Sequence, residues 1–288
     1  MKFLLFSLFT FLSLYASEAF IDVTELKSKV ENKNIVILDT TDKKTYDKGH
    51  IPGAVLVNIS NFRHPVEKYQ LINSPMQLQK EFRSLGINNN SEVIIYGHNK
   101  GKELLKASYV ALSLISHGLQ NVSILNGGYP EWVSEYEFDE LIQTKTPEYK
   151  KGNFVVKPNK KIIIDIDYVK SRIGTTPMIE ARPLKYFNGT VQSNGVKRLG
   201  HISGAKSSYW RDKFDSEYKL KPINKIKKIF IKSNKLNVNK EVITYCTGGL
   251  EASMNWYILH AYLHFKDVKI YDASMKQWGN LDKTPMQK

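Results

Sequence analysis

Short apolar runs rich in β-branched residues alternate with longer amphipathic stretches along most of the chain. Val93–Tyr96 and Val242–Tyr245 are continuous runs of the kind that form strands buried on both faces. Lys102–His117 and Leu250–Leu263 carry apolar residues at helical spacing. This alternation predicts an α/β fold, in which a small parallel sheet is covered by helices on both faces.

The same order of segments occurs twice along the chain. The first half contains I-V-I-L-D-T, Y-D-K-G-H-I-P-G-A, E-V-I-I-Y-G and N-V-S-I-L-N-G-G-Y-P-E-W, and the second contains P-M-I-E-A-R, L-G-H-I-S-G-A, E-V-I-T-Y-C and D-V-K-I-Y-D-A-S-M-K-Q-W. The last three pairs are separated by nearly constant offsets of 151, 149 and 146 residues. Four matches in one order predict a tandem duplication, and therefore two similar domains.

The amino terminus has the pattern of a secretory signal. One lysine precedes an apolar run from Phe3 to Tyr15, and small residues follow at Ser17 and Ala19. The run is short for a membrane span of about 20 residues. We therefore expect a signal peptide over 1–19, a periplasmic mature protein and no stable membrane anchor after cleavage. An uncleaved anchor or a buried first helix is the alternative.

A polar, lysine-rich stretch without periodicity separates the two repeats. It spans residues 135–161 and is predicted to be a linker. The repeats themselves then define a first domain over 20–134 and a second domain over 162–288.

Composition narrows the class of protein. Hydrophobic residues make up 42% of the 288, which excludes a mainly disordered chain. A single cysteine excludes a disulfide framework and a Cys-rich zinc site. Lys and Arg outnumber Asp and Glu by 42 to 28, a net charge of +14. Such a balance fits nucleic acid, an anionic membrane surface or small anionic substrates, or it reflects only a lysine-rich proteome. The lysines are dispersed and accompany no nucleic-acid-binding motif, so nucleic acid is not an expected partner.

The single cysteine occupies a position suited to nucleophilic chemistry. Cys246 ends the run Val242–Tyr245 and opens the loop C-T-G-G-L-E-A before an amphipathic stretch. Gly248 and Gly249 allow successive amides to point at the sulfur, and a helix amino terminus adds positive potential. Both effects favour the thiolate. The alternative is a buried structural cysteine.

At these residues the sequence resembles the two-domain sulfurtransferases of the rhodanese superfamily. The resemblance covers nearly all of the chain after the signal. It rests on the order and spacing of five segments, namely G-H-I-P-G-A at 49–54, E-A-R at 180–182, G-H-I-S-G-A at 200–205, C-x-x-G-x-x-A at 246–252 and Q-W-G-N-L-D-K-T-P at 277–285. It implies two tandem domains, each a small parallel sheet between helices.

The resemblance also implies a two-step reaction. A donor such as thiosulfate or mercaptopyruvate passes a sulfane sulfur to Cys246, and a thiol or cyanide then removes it from the persulfide. No metal or organic cofactor is needed. Gly97 stands at the position of Cys246 in the first repeat, so that domain is expected to be non-catalytic. A non-catalytic carrier that holds sulfur for a periplasmic partner protein is the alternative.

Several residues of the second repeat are candidates for binding the donor. Arg182 matches an arginine of the family, where it either binds the anion or braces the loop. A second family arginine is replaced by Tyr186, and Arg198 is the nearest candidate for the missing charge. The remaining candidates follow Cys246 in the loop: Thr247, Gly248, Gly249, Leu250 and Glu251. A carboxylate at position 251 opposes thiolate formation unless it faces away.

Asp39 and His50 match residues thought to assist proton transfer in relatives that use mercaptopyruvate. The alternative is that Asp39 simply ends a strand and that His50 packs inside a turn. His98, beside Gly97, is expected to be structural or solvated. His260 and His264 have the spacing of a metal pair, but with no third ligand in view we expect a half-buried helix face.

Overall fold

The computed structural model describes residues 18–98, 101–135 and 141–288. The apolar run of the expected secretory signal lies outside these residues. Within them, no helix combines the length and the apolar character that a membrane crossing requires.

The first half is built on seven strands and five helices. Its strands are β1 (Phe20–Ile21), β2 (Ile35–Asp39), β3 (Val55–Leu56), β4 (Arg63–Val66), β5 (Tyr69–Ile72), β6 (Glu92–Tyr96) and β7 (Val122–Leu125). Its helices are α1 (Val23–Lys29), α2 (Lys43–Tyr46), α3 (Pro75–Ser84), α4 (Lys102–Ser116) and α5 (Gly128–Glu135), with a 3-10 turn at Ile59–Phe62.

The second half repeats this plan. Its strands are β8 (Ile163–Ile164), β9 (Met178–Glu180), β10 (His201–Ile202), β11 (Lys206–Ser207), β12 (Glu241–Tyr245), β13 (Asp267–Tyr271) and β14 (Met286–Gln287). Its helices are α6 (Ile166–Arg172), α7 (Leu184–Phe187), α8 (Ile223–Lys227), α9 (Leu250–Tyr257) and α10 (Ser274–Trp278). A 3-10 turn covers Trp210–Lys213, and π-helical turns extend α8 and α9 over Lys228–Ser233 and Ile258–Tyr262.

Each half forms a five-stranded parallel sheet with the same strand order. The order is β1-β7-β6-β2-β3 in the first sheet and β8-β13-β12-β9-β11 in the second. The helix caps repeat as well, because Asp22 accepts the Glu25 amide at 2.8 Å and Asp165 accepts the Tyr168 amide at 2.9 Å. The predicted α/β fold with two tandem domains of the same architecture is confirmed.

The two halves share a buried interface formed by α4 and α9. The hydroxyls of Ser108 and Ser253 lie 2.8 Å apart across it, and one continuous apolar cluster contains residues of both halves. Tyr257 on α9 donates its hydroxyl hydrogen to the carbonyl of Val122 in β7, at 3.0 Å. Because α9 begins next to Cys246, this interface lies directly behind the cysteine loop.

The antiparallel hairpin β4–β5 extends from the first half to the second. Its Arg63 donates to the carbonyl of Gly248 at 2.6 Å, and its Ile72 amide donates to the carboxylate of Asp272 at 2.8 Å. The hydroxyl of Tyr69 accepts from Gln277 at 3.0 Å. Backbone and side chains of the first half therefore contact the loop that carries Cys246.

The stretch expected to link the domains runs along the first half wherever the structure describes it. Gln143 and His50 exchange two backbone hydrogen bonds of 2.9 Å. The amide of Phe154 donates to the backbone carbonyl of Ile87 at 3.1 Å, and the amide of Lys157 donates to the backbone carbonyl of His117 at 2.8 Å. Hydrogen bonds of this kind fix the path of a polar segment without requiring helix or strand.

Candidate active site

Cys246 lies in the turn between β12 and α9, at the carboxyl end of the central strand of the second sheet. Its Sγ accepts the amide hydrogen of Gly249 at 3.1 Å, and its own amide donates to Ser274 Oγ at 3.0 Å. Gly249 has a φ of +93°, and a Cβ there would collide with the Asp272 carboxylate. Glycine is therefore required for the turn that directs an amide at the sulfur.

The thiol is buried, and this changes its expected ionisation. Cys246 is 1% exposed. Burial and, secondly, the charge of Glu251 raise the pKa of Cys246 to about 12, although the amides of Ala252, Gly248 and Gly249 lower it. The loop amides act in the expected direction, towards the thiolate, but burial has the larger effect on the pKa of Cys246.

Glu251 lies in the first turn of α9, next to the cysteine loop, and is partly exposed. Desolvation raises the pKa of Glu251 to about 7, while the Thr247 amide, the charge of Arg182 and the Cys246 side chain act in the opposite direction. The pKa values of the Cys246 thiol and of the nearby Glu251 carboxyl group are therefore both raised.

Arg182 is buried and binds two protein groups. It forms an ion pair with Glu180 and donates to the Gly200 carbonyl at 2.8 Å. Glu180 also accepts the hydroxyl hydrogen of Tyr245, at 3.0 Å. Arg182 is close enough for its charge to act on both Cys246 and Glu251. Of its two expected roles, the contacts favour bracing the loop over direct binding of a donor.

The structure does not bring Arg198 to the cysteine loop. Its guanidinium donates to the carbonyls of Trp278 and Thr284, at 2.9 Å each, and to the Thr284 hydroxyl. These bonds hold the carboxyl-terminal segment of the second half against Arg198. The expectation that Arg198 supplies a donor-binding charge is corrected, because its side chain satisfies backbone carbonyls instead.

The charge expected near the loop comes from lysines instead. A surface hollow lies between the first half and the segment 192–197, and both Lys68 and Lys197 line it. Ser193, also in this lining, has its hydroxyl 3.2 Å from that of Thr247. Lys276 lies beside the loop, since a Cβ on Gly248 would be 3.5 Å from its Cδ. A basic hollow therefore borders the exposed side of the loop.

The remaining loop residues shape the turn. Leu250 is half-buried and packs against the shared apolar cluster. Gly248 offers its carbonyl to Arg63, whose side chain is 7% exposed and lies over the ring of Tyr109 at 4.6 Å. Arg63 also lies 3.7 Å from Asp272. Sequence reasoning missed Arg63, because no motif surrounds it and it is 185 residues from Gly248.

Asp39 and His50 contact residues of the first half. Asp39 accepts the Thr41 amide at 2.8 Å, and its second oxygen is 3.4 Å from His98 Nε2. The ring of His50 stacks on Tyr46, and its Nδ1 is 2.9 Å from the Tyr46 carbonyl. These contacts agree with the alternative that Asp39 ends a strand and that His50 packs inside a turn, and a role in proton transfer stays a prediction.

Two of the remaining histidines stack on aromatic rings: His98 on Tyr129 with 4.2 Å between ring centres, and His260 on Trp256 at 4.6 Å. His264 does not share a half-buried helix face with His260, because it is exposed and lies beyond the end of the helical stretch at Tyr262. Among the described residues, no three or more His, Cys, Asp or Glu side chains are grouped so that they could hold a metal ion.

Two similar α/β domains, with one cysteine held at a strand–loop–helix turn of the second, define a class of duplicated proteins built for thiol chemistry. The model of the rhodanese-like domain matches residues 22–135 and again 165–281. The chain belongs to the rhodanese family, and the resemblance drawn from the sequence is confirmed.

Individual relatives agree along nearly the whole chain. It is 31% identical over 276 residues to a putative thiosulfate sulfurtransferase of Synechococcus elongatus, covering 92% of this chain and 83% of the relative. It is 26% identical to the sulfur carrier protein TtuD of Thermus thermophilus, with 94% and 97% covered. The crystal structure of SseA from Escherichia coli, a 3-mercaptopyruvate sulfotransferase, superposes with a TM-score of 0.76 at 26% identity, covering 90% of this chain and 99% of SseA.

Proposed function

We propose that this protein is a sulfurtransferase that carries a sulfane sulfur as a persulfide on Cys246. The observation that carries the proposal is the position of Cys246 in the loop between β12 and α9, where the Gly249 amide points at its sulfur at 3.1 Å. The curated relatives named as thiosulfate sulfurtransferases and the likeness to SseA support the reaction class. A terminal persulfide sulfur is anionic, and amides at a helix amino terminus stabilise such charge.

The donor we propose is a small sulfur-containing anion, thiosulfate or mercaptopyruvate. Lys68 and Lys197 line the hollow and Lys276 lies beside the loop, and positive charge at a cleft raises the local concentration of anions. The uncharged side chain of Thr247 contacts Ser193, which lines this hollow. The acceptor is a thiol or cyanide.

Two half-reactions then follow. The sulfur of Cys246 attacks the sulfane sulfur of the donor, and the electron pair of the broken bond leaves with the remainder of the donor. The acceptor next attacks the outer sulfur of the persulfide and returns an electron pair to Sγ. No step requires an oxidant or a reductant.

Mass spectrometry of the intact protein tests the proposal. Incubation with thiosulfate or mercaptopyruvate should add one sulfur atom, and later cyanide should remove it as thiocyanate. Cys246→Ser serves as the control. A wild-type protein that gains no sulfur from either donor, or a serine variant that does, would contradict the proposal.

A carrier role is the second candidate, favoured by the relative named as a sulfur carrier and by the burial of the thiol. Such a protein would accept sulfur and hold it for a periplasmic partner protein. Steady-state measurements with cyanide distinguish the two roles, because a carrier would load once and then stall. Continuous thiocyanate release would exclude the pure carrier.

We also propose that the chain is exported, on the sequence of residues 1–19 alone. The last two residues of that range contact the first half, which favours cleavage before Glu18 over cleavage after Ala19. The carbonyls of Glu18 and Ala19 accept hydrogen bonds from Ser123 and Ile124 at 2.5 and 2.9 Å. Cleavage before Glu18 would keep both bonds. Amino-terminal sequencing of protein from fractionated cells tests this, and an uncleaved cytoplasmic chain would contradict it.

A further inference from the structure

One guanidinium group of the first half binds the peptide group that directs an amide at the nucleophile. The carbonyl of Gly248 and the amide of Gly249 belong to the same planar peptide group, in which the C=O and the N–H point in opposite directions. Nη2 of Arg63 donates to the Gly248 carbonyl at 2.6 Å, and the Gly249 amide donates to Cys246 Sγ at 3.1 Å. The peptide is therefore held between the arginine on one side and the sulfur on the other.

The sequence of the loop makes this hold important. Both residues that flank the peptide are glycines, and Gly249 has a φ of +93°. Glycine accepts many backbone conformations, so the peptide could rotate and direct the carbonyl oxygen of Gly248, instead of an amide, towards the sulfur. Such a rotation would bring a negative partial charge close to a thiolate. The bond from Arg63 to the carbonyl opposes it.

Arg63 is itself fixed by groups of both halves. Its Nη2 donates to the carbonyl of Gln70 at 3.2 Å and lies 3.7 Å from Oδ1 of Asp272. Its guanidinium carbon lies 4.6 Å from the centre of the Tyr109 ring, and the Tyr109 hydroxyl donates to the other oxygen of Asp272 at 2.8 Å. The side chain of Arg63 is only 7% exposed. These contacts confine the guanidinium group to one position, from which it makes a charge-assisted hydrogen bond to the loop.

The charge of Arg63 can act on the sulfur through the peptide. A cation bound to a carbonyl oxygen polarises the amide, and the N–H at the other end becomes a stronger donor. In the proposed cycle, negative charge lies on Sγ before it attacks the donor and again when the acceptor removes the outer sulfur. An amide that already points at Sγ stabilises that charge without reorganisation.

We propose that Arg63 is a positioning residue, supplied by the first half, which orients the peptide Gly248–Gly249 so that its amide stabilises negative charge on Cys246. The inference rests on the proposed function and assigns a part in it to the half without a cysteine. Arg63 contacts the loop, whereas lysines line the basic hollow in which the donor is proposed to bind. Its removal should therefore slow the transfer of sulfur and leave the binding of the donor unchanged.

Arg63→Met tests the proposal, because methionine fills much of the space but cannot donate to the carbonyl. Removing a preorganised donor outright slows a reaction by about 10²–10³, and part of this loss is offset because a less stabilised thiolate is a stronger nucleophile. The saturating rate of persulfide formation should fall by about tenfold in single-turnover measurements. The half-saturating concentration of thiosulfate should not change. Arg63→Lys retains a charged donor and should recover part of the rate.

Arg83→Met is the matched control. Nε of Arg83 donates to the carbonyl of Phe154 at 2.8 Å, so this variant loses the same kind of bond within the first half and away from the cysteine loop. Thermal unfolding of every variant checks that the fold persists. If Arg63→Met does not fold, Arg63→Gln, which keeps a neutral donor, takes its place and should show a smaller loss of rate.

Crystal structures of the wild type and of Arg63→Met give a readout that does not depend on activity. In the variant, the amide of Gly249 should turn away from Cys246 Sγ. An amide that keeps its bond to the sulfur, an unchanged saturating rate, or an equal loss of rate in Arg83→Met would overturn the inference. A raised half-saturating concentration with an unchanged rate would also overturn it, since Arg63 would then bind the donor. A wild-type protein that never loads sulfur would instead contradict the proposed function, and the two structures would still decide whether Arg63 orients the peptide.

Discussion

The two halves of the molecule hold the same scaffold around different chemistry. In the first, the Tyr96 hydroxyl accepts the Ile51 amide at 3.1 Å, and in the second the Tyr245 hydroxyl accepts the Ile202 amide at the same distance. In both, the histidine of the G-H-I segment stacks on an aromatic ring with 3.7 Å between centres. Duplication has therefore preserved backbone register and ring packing in detail.

The differences are concentrated at the carboxyl ends of the central strands. Asp39 pairs with Tyr96 in the first sheet as Glu180 pairs with Tyr245 in the second, which makes Thr41 the counterpart of Arg182. Gly97 likewise matches Cys246, and Pro130 matches Lys276. A few substitutions at one edge of the sheet thus separate the half with a nucleophile from the half without one, as expected for parallel α/β folds.

The largest effect should come from removing the nucleophile. Cys246→Ser should abolish sulfur loading, because the chain contains no other cysteine. Intact mass after incubation with thiosulfate measures this. Arg198→Lys, a change among the bonds to the carboxyl-terminal segment, should leave loading in place and provides the comparison. Any residual sulfur on the serine variant would show that loading occurs elsewhere.

Restoring a cysteine to the first half should not create a second site. A Cβ on Gly97 would lie 2.6 Å from the Glu103 Cβ, closer than such contacts occur, so the helix would have to shift. The double variant Gly97→Cys, Cys246→Ser should therefore gain no sulfur in the same mass assay. Loading of that variant would mean that the two loops are interchangeable and that their difference is the cysteine alone.

The next effect concerns the buried ion pair between Arg182 and Glu180. In the first half, Thr41 stands in place of the arginine. Arg182→Met leaves Glu180 buried without its partner and should lower the free energy of unfolding by about 3 kcal/mol. Thr41→Val should be nearly neutral, because the Thr41 hydroxyl is buried and has no hydrogen-bond partner among the described residues. Urea unfolding of both variants checks the contrast. Equal losses would indicate that Arg182 does not brace the loop.

A smaller effect is expected at the basic hollow. Lys276→Gln removes a charge beside the loop, and an exposed charge of this kind contributes up to about 1 kcal/mol. The KM for thiosulfate should rise about fivefold, with less change at high salt, where such charges are screened. Lys225→Gln, on α8, is a control of equal charge. An unchanged KM would indicate that the donor does not bind beside Lys276.

The smallest effect lies in the pH dependence of stability. Folding raises the pKa of Glu251 from 4.5 to about 7, so the folded protein binds more protons than the unfolded chain between those values. The contribution of this group to stability is therefore lost as pH rises through that window. The difference in unfolding free energy between wild type and Glu251→Gln should change across pH 4.5 to 7. A difference in unfolding free energy that does not change with pH would contradict the raised pKa of Glu251.

The strands and the position of the nucleophile could be predicted from the sequence because both depend on local patterns. Apolar runs predict strands, and a cysteine between a strand and a glycine-containing turn predicts a loop that leads into a helix. The direction in which a long side chain points depends on tertiary contacts and not on neighbouring residues. For this reason Arg198 was expected near the cysteine loop, whereas its guanidinium binds backbone carbonyls. Arg63 was not accessible at all, because only tertiary folding brings it to Gly248.

The sequence indicated only one of the influences on the ionisation of Cys246. Amides that favour the thiolate can be recognised from the residues around the cysteine, whereas burial depends on the residues that tertiary folding packs against it. Burial is the largest influence on the pKa of the thiol, and the charge of Glu251 raises it further.

The contacts of Asp272 show how the second half depends on the first half, which has no cysteine. Its buried carboxylate, at the end of β13, accepts the Tyr109 hydroxyl and the Ile72 amide, both at 2.8 Å and both from the other half. A chain truncated to the carboxyl-terminal repeat would leave that carboxylate without these donors and would free the carbonyl of Gly248. The first half thus supplies hydrogen-bonding groups that the cysteine-bearing half needs for its own buried polar atoms.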